Sequence, residues 1–387
     1  MATRGIATFT LDYGHCPPWL FQRMVRLGRE MTQVLIDEYG PDEFIKRIAD
    51  PVWFQSLGTV LAFDWNASGL TTILTAALKE AIRGQEKDLG VFIAGGKGKT
   101  SRKTPDEIVS WGEKLNFNPD LSKQLVYSSK MAAKVDSSLV QDGYQIYHHA
   151  FFFSKNGAWT VVQQGMNTAN VTARRYHWSD VIDLKNRTNF INEPHKGIAT
   201  QKFLSNVLNL TSKDSANTRN VSTDLVQSGT NQLLKDLQLL REHQNSVSKM
   251  VSFKDKTEQY TFLKLEGVEF RHHDVELEDF SKSKYLDKIL QKLGETKPAD
   301  YEQIIATEGV GPKTIRALSL VSEIIYGAKP SYEDPARYSF AHGGKDATPY
   351  PVDKKTYDET IEIMRRAVSK TKLNYAEKSK ALARLIP

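Results

Sequence analysis

Gly309-Val310-Gly311-Pro312-Lys313-Thr314-Ile315-Arg316 is the stretch from which the organisation of this chain is read outward. Two glycines one residue apart suit a tight reversal, because a residue without Cβ enters left-handed backbone at little steric cost. Pro312 fits the first turn of a helix, where its missing N–H is no loss. Asp300 to Ala306 reads as a short helix before the glycines, and Lys313 to Tyr326 as a longer one after them. The octet is therefore predicted to be a hairpin between two helices. Its glycines let backbone N–H groups come close to a phosphate, the positive end of the second helix faces the same group, and Lys313 adds a full charge. Such a hairpin meets the phosphate backbone and leaves base edges unread. Gly309, Val310, Gly311, Lys313 and Thr314 are the expected DNA-contacting residues, and DNA is the expected partner.

Composition agrees with a soluble chain that meets an anion. The 387 residues are 40% hydrophobic and 25% charged, with a formal charge of +6 and a pI near 9.0, a modest lean toward an anionic partner. No apolar run approaches the roughly 18 residues of a membrane helix. Met1-Ala2-Thr3-Arg4-Gly5 leads straight into strand-like sequence with no signal-peptide pattern, so a cytoplasmic protein is expected. Cys16 stands alone, so no intrachain disulfide, Cys-rich zinc site or four-cysteine iron–sulfur cluster is expected.

Three segments follow. Residues 1–210 read as a mixed α/β domain. A short strand covers Ile6 to Leu11, and the apolar spacing Leu20, Met24, Leu27, Met31, Leu35 predicts a helix over Pro18 to Tyr39. Helices are predicted over Asp42 to Ala49 and Gly69 to Ile82, and a strand over Gly90 to Ala94. Gly95-Gly96-Lys97-Gly98-Lys99-Thr100-Ser101-Arg102-Lys103-Thr104 then makes a basic glycine-rich loop into a helix over Pro105 to Leu115, with Lys97 and Lys99 as phosphate contacts. It lacks the P-loop order of Gly, four residues, Gly-Lys-Ser/Thr, which argues against a nucleotide triphosphatase. Tyr144 to Ser154 and Ala158 to Gln164, joined at Asn156-Gly157, read as a β-hairpin. Residues 211–265 read as a helical connector through which the chain can oligomerise. Residues 266–387 read as an all-α DNA-binding domain carrying the helix-hairpin-helix element.

Catalytic candidates are polar residues where a buried strand or helix start would carry apolar ones: His15, Asp64, Asp142, His148 and Gln163. Burial of such groups is costly without a partner or a purpose. Adjacent His148 and His149 must point to opposite faces of their strand, so one of them can join a given site. Asp64 or Asn66 can instead cap the helix that begins near Gly69. At least three of the five are expected around one cleft that also receives the Gly95 to Thr104 loop. There an acidic residue, through a divalent metal (Mg or Mn) or a histidine, would activate water. An acidic residue opening a hairpin loosely resembles metal-dependent nuclease cores, although the lysine those usually carry near Gln163 is missing.

Lys313 also resembles the nucleophile of helix-hairpin-helix DNA glycosylases, which attack a sugar with an amine while an aspartate supports the charge. Pro351-Val352-Asp353 is similar to that family's aspartate segment. Forty residues separate Lys313 from Asp353, about twice the family's spacing, so His342-Gly343-Gly344-Lys345-Asp346 would lie in an insertion; Asp334 is nearer but in a poorer local sequence. Across nearly its whole length the chain resembles a prokaryotic family common in archaea and thermophiles, domain of unknown function 763. The matching strings include Phe63-Asp64-Trp65, Ala94-Gly95-Gly96-Lys97-Gly98-Lys99, Gln141-Asp142-Gly143-Tyr144-Gln145, Gln163-Gln164-Gly165-Met166-Asn167 and Arg174-Arg175-Tyr176-His177-Trp178. That resemblance implies no activity. The residues lead to a DNA-processing enzyme, a structure-specific repair nuclease, with a glycosylase or abasic-site lyase using Lys313 and Asp353 as one alternative. A non-enzymatic DNA-binding accessory protein is the other.

Overall fold

A computed structural model describes residues 9–11, 15–61, 66–180, 189–243, 253–254, 259–260, 284–336, 354–383 and 385. The chain divides into two compact units. Unit 1 comprises Met1–Ser137, Asp142–Ser205 and Asp334–Pro387; unit 2 comprises Ser138–Gln141 and Asn206–Glu333. The division departs from the expected one in two places. Residues 216–243 fold inside unit 2 and do not form a connector, and the last 54 residues belong to unit 1 and not to the helical unit that carries the hairpin. Of the expected strand at Ile6 to Leu11, the described part makes a single bridge, from Thr10 to Thr172.

Unit 1 begins with four helices, α1 (Pro18–Tyr39), α2 (Pro41–Ile48), α3 (Pro51–Val60) and α4 (Ala67–Ala81). Gly40, at φ +82, ends α1 and turns the chain into α2, with Pro41 in the first turn. Asp50 accepts from the Val52 and Trp53 N–H groups to start α3, and Asn66 does the same for α4 through Ser68 and Gly69. These caps satisfy orphan donors, each worth about 1 kcal/mol. After the short α5 (Glu86–Leu89) come β1 (Val91–Lys97), a 3-10 turn (Gly98–Lys103), α6 (Thr104–Leu115) and α7 (Pro119–Ser138). Gly95 to Lys97, expected as loop, continue β1 because they pair with His148 to Ala150.

In chain order the strands are then β2 (Val140–Gln141), β3 (Gln145–Ser154), β4 (Trp159–Asn167), β5 (Thr172–Ser179), β6 (His195–Thr200) and β7 (Leu208–Asn209). A five-stranded antiparallel sheet runs in the order β1-β3-β4-β5-β6. Its tight turn at Lys155-Asn156-Gly157 sits where the Asn-Gly pair predicts it, Gly157 at φ +94. Helices cover both faces, which is why the strands carry long apolar runs. Ala150, Phe152 and Val162 join the core of α1 to α4 on one side. On the other, Phe92 packs against Trp111 and Phe117, and Phe151 stacks on Trp159. Late in the chain α13 (Lys354–Lys370) and α14 (Tyr375–Ala383) return Met364, Ala367, Val368 and Ala381 to the core of the first four helices.

Unit 2 is built from helices and the two-stranded pair β2-β7. Its helices are α8 (Ala216–Ser228), α9 (Thr230–His243), α10 (Lys284–Thr296), α11 (Tyr301–Ala306) and α12 (Pro312–Ile324). Leu225, Leu233, Leu237, Leu290, Leu293, Ile304, Ile315 and Leu318 are buried among them. Residues 307–311 connect α11 to α12, and the rest of the octet, from Pro312 on, lies within α12.

Candidate functional site

In unit 1 a belt of polar residues crosses the middle of the sheet in register. On the face toward α4 it reads His148, Gln164, Arg175; on the face toward α7 it reads His149, Gln163, Tyr176. The two belts differ in how completely they are satisfied.

The α7 belt is closed on itself. His149 pairs with Ser129 Oγ through Nε2 at 2.9 Å and with Gln163 Oε1 through Nδ1 at 2.9 Å. Gln163 Nε2 donates to Asp136 Oδ2 and to the Ala132 carbonyl, and Asp136 also receives the Trp178 indole N–H at 3.0 Å and meets His195 through Oδ1. Toward the same side, Asp142 accepts from Arg174 at 3.0 Å and from the Tyr176 hydroxyl at 2.6 Å, while Arg174 also pairs with Asp334. Burial raises the Asp142 carboxyl above its ordinary range, against the pull of Arg174. Asp142 and Gln163 are therefore each held by several partners on this side, although Arg174 Nε has none among the described residues. Neither lines the cleft described next.

Of the α4 belt, His148 lines a cleft of about 640 Å³. His15 lies at its rim, and its walls come from α4 (Thr72, Thr75, Lys79) and the end of β1 (Gly95, Gly96, Lys97). The cleft brings together His15, His148, Lys97 and the glycines of the basic segment; Lys99 is exposed on the 3-10 turn. Of the five expected catalytic residues, His15 and His148 meet here, Asp142 and Gln163 do not, and Asp64 lies outside the described residues. The reason is strand alternation: Gln163 shares a face with His149, and His148 shares one with Gln164.

His148 is almost fully buried. Its Nε2 lies 3.1 Å from Thr75 Oγ1, whose own proton is directed at the Thr71 and Thr72 carbonyls at 3.0 and 3.1 Å. Thr75 is then left to accept, Nε2 carries the imidazole proton, and Nδ1 keeps its lone pair. Among the described residues Nδ1 has no hydrogen-bond partner, and neither has Oε1 of its cross-strand neighbour Gln164. Burial pushes the His148 pKa down to about 3, with His149 and Lys97 adding to the effect, so the ring is neutral near pH 7. A β-bulge between Ile146 and His148 shapes this corner. Tyr147, the extra residue, receives a hydrogen bond from Gln164 Nε2 and lies under Lys97, whose Nζ is 6.0 Å from the ring centroid. Bulges commonly re-aim a side chain beside a site.

Lys79 and Glu107 brace the floor. Lys79 Nζ donates to the Gly95 carbonyl at 3.0 Å and pairs with Glu107 at 2.6 Å, and Glu107 accepts the Gly95 N–H at 3.0 Å. Gly95 has no alternative residue: at φ +83 an added Cβ would stand 2.3 Å from the His149 carbonyl oxygen. Thr75, Lys79, Glu107 and Tyr147 have no sequence signal that singles them out, because each matters through a partner far along the chain. Among the described residues no group of three or more His, Cys, Asp or Glu is placed to hold a metal ion.

In unit 2 the two hairpin glycines differ. Gly309 has φ +91, and a Cβ there would stand 2.4 Å from Ile289 Cδ1; Gly311 has extended backbone with nothing within 4 Å. No side chain caps α12. Lys313 is exposed, whereas Val310 and Thr314 are buried, so their side chains pack inward and only their backbone is placed to meet an outside group. Arg316 donates to Gln141 Oε1, and Gln141 Nε2 donates to the Pro312 carbonyl at 3.0 Å, which ties the start of α12 to β2. Asp353 lies outside the described residues. Asp334, the nearer aspartate, is committed to Arg174 within unit 1 and also accepts the Leu204 N–H.

Residues 5–352 match the family model described as Protein of unknown function (DUF763), and the chain belongs to that family. No curated protein and no solved structure matches it. Among the described residues no helix is long and apolar enough to cross a membrane.

Proposed function

We propose that this protein processes DNA, gripping the duplex backbone without reading its sequence through the Gly309 to Lys313 hairpin. The observation that carries the reading is the contrast between the two glycines. Gly309 is demanded by the fold of unit 2, whereas among the described residues nothing demands a glycine at 311. A bare backbone beside an uncapped 13-residue helix and an exposed lysine is what a close-approaching phosphate would require. The chemistry is assigned to the cleft of unit 1, as that of a structure-specific repair nuclease, where a neutral histidine with an available lone pair can accept a hydrogen bond and so orient a water for attack. A divalent cation, Mg or Mn, that activates this water belongs to the same proposal, as does a cytoplasmic location.

The test uses the full chain. Unrelated duplexes titrated at two salt concentrations should bind alike and weaken together as salt rises, since phosphate contacts release counterions. A panel of nicked, flapped, bubbled and abasic DNAs, with and without divalent cation, should then show cleavage that depends on DNA structure. Absent or salt-independent binding overturns the DNA reading. Borohydride trapping on abasic DNA would replace the nuclease with the Lys313 lyase, and binding without any cleavage would leave an accessory protein.

A further inference from the structure

We propose that the cleft of unit 1 is a site for a single nucleotide. Its phosphate lies beside Lys97, where β1 ends and the 3-10 turn carrying Thr100 begins, and a base or sugar N–H or O–H donates to His148 Nδ1. The inference rests on the reading above and names the substrate of the same cleft. Size is the first consideration. About 640 Å³ falls in the range of about 300–1,000 Å³ typical of small-ligand sites, while a duplex, whose major groove alone is about 12 Å wide, cannot enter. The occupant is a strand end, an extruded nucleotide or a free one.

Charge places the phosphate. Lys79 is neutralised by Glu107 and Arg83 by Glu80. Among the described residues Lys97 makes no ion pair, and it stands beside Gly96 and Thr100 on the cleft wall. A phosphate there would meet an uncompensated cation. His148 does something different. A neutral ring whose Nε2 proton is engaged by Thr75 offers an acceptor and not a charge, so it suits a donor on the base or sugar. His148 Nδ1 is a buried acceptor on a residue that lines the cleft, with no partner among the described residues, and so marks a place where a donor is missing. Phe21, Ile73 and Pro17 supply apolar wall for the base.

The experiment is calorimetric titration of the full chain with deoxyadenosine 5′-monophosphate, deoxythymidine 5′-monophosphate, deoxyadenosine and inorganic phosphate. The monophosphates should bind at least about tenfold more tightly than either the nucleoside or inorganic phosphate, a difference of about 1.4 kcal/mol. Lys97→Gln should weaken the monophosphates about tenfold and leave the nucleoside unchanged. His148→Gln should weaken nucleoside and monophosphate alike, with its fold checked by circular dichroism, and Thr75→Val, which loosens the ring's tautomer, should follow it in smaller measure. Failure of the wild-type chain to bind any monophosphate overturns the proposal, and so does equal affinity in Lys97→Gln. Nucleotide binding is measured apart from duplex binding. A chain that takes monophosphates but no duplex would sink the hairpin reading alone, and the reverse would sink this one alone.

Discussion

Gly309 and Gly311 are separated by one residue, and substitution should separate what folds the hairpin from what the hairpin touches. At Gly309 an alanine must hold φ near +91, which costs about 1–2 kcal/mol for an L-residue. Its Cβ must also displace Ile289 Cδ1 from 2.4 Å, and overpacking of this kind typically costs about 1–3 kcal/mol. Since the terminal methyl of Ile289 can rotate away in part, Gly309→Ala should lower stability by about 2–4 kcal/mol. Gly311→Val meets neither obstacle: its backbone is extended and its Cβ points into open space. Stiffening the unfolded chain should make this change neutral or stabilising by up to about 1 kcal/mol. Against DNA the order reverses. A valine at 311 should hold phosphate away from the first turn of α12 and lose about 1–2 kcal/mol, comparable to one charge-assisted hydrogen bond, or about 5–30-fold in Kd. Urea unfolding gives the first quantity, and fluorescence anisotropy of a labelled duplex at low salt gives the second. Wild-type DNA affinity in Gly311→Val would refute the reasoning, and so would equal losses of stability and affinity in that variant.

Further outcomes concern unit 1. Unfolded, an imidazole takes up its proton near pH 6.5, whereas His148 in the folded chain resists until about pH 3. Between those values the unfolded state binds the extra proton, so stability falls as pH falls, by about 2.7 kcal/mol at about pH 4.5 from this residue. His149 and His177 are shifted the same way by burial. Urea titrations across that window should therefore show a steep loss, and His148→Gln a shallower one; parallel curves would count against a neutral buried ring. Arg174→Met strands the Asp142 and Asp334 carboxylates in the interior and should cost about 3–5 kcal/mol by denaturant unfolding. Gly95→Ala forces a Cβ against the His149 carbonyl at positive φ and should cost about 2–4 kcal/mol, visible as a lower urea midpoint. Asn66→Ala removes the cap of α4 and should cost about 1 kcal/mol in the same assay.

What was legible in the sequence was what local chemistry decides. The apolar spacing from Leu20 to Leu35 gave α1, Asn156-Gly157 gave the turn between β3 and β4, and alternation alone put His148 and His149 on opposite faces. β5 was illegible for the opposite reason. Thr172-Ala173-Arg174-Arg175-Tyr176-His177-Trp178-Ser179 looks like surface, yet Arg174 and Arg175 are wholly buried. Arg174 is tolerated inside because Asp142 and Asp334 reach it from 32 and 160 residues away, and Arg175 because Gln55 and Thr71 reach it from 120 and 104. No window along the chain contains those partners. The same limit scattered the candidate site. Polar residues inside strands are unusual, but Asp142 and Gln163 are explained by partners such as Arg174 and Asp136, whereas His148 Nδ1, on the cleft wall, has no partner among the described residues. α7 escaped notice because its inward face is partly polar, with Ser129 and Asp136 serving the sheet.

The return of α13 and α14 to unit 1 has a consequence for how this protein comes into being. On the ribosome the sheet and the first four helices emerge early, but Met364, Ala367, Val368 and Ala381, which join their core, are made only after all of unit 2. Asp334, the second partner of buried Arg174, also arrives late. All of 206–333 is synthesised in between, and its partner segment within unit 2, Ser138–Gln141, is already made. Unit 2 can therefore close while unit 1 still waits with an apolar helix face uncovered and an arginine short of a carboxylate. Contacts of such long sequence separation slow folding and leave a nascent chain open to aggregation. Truncations that remove α13 should accordingly show their damage at the opposite end of the sequence, as proteolysis within the first four helices.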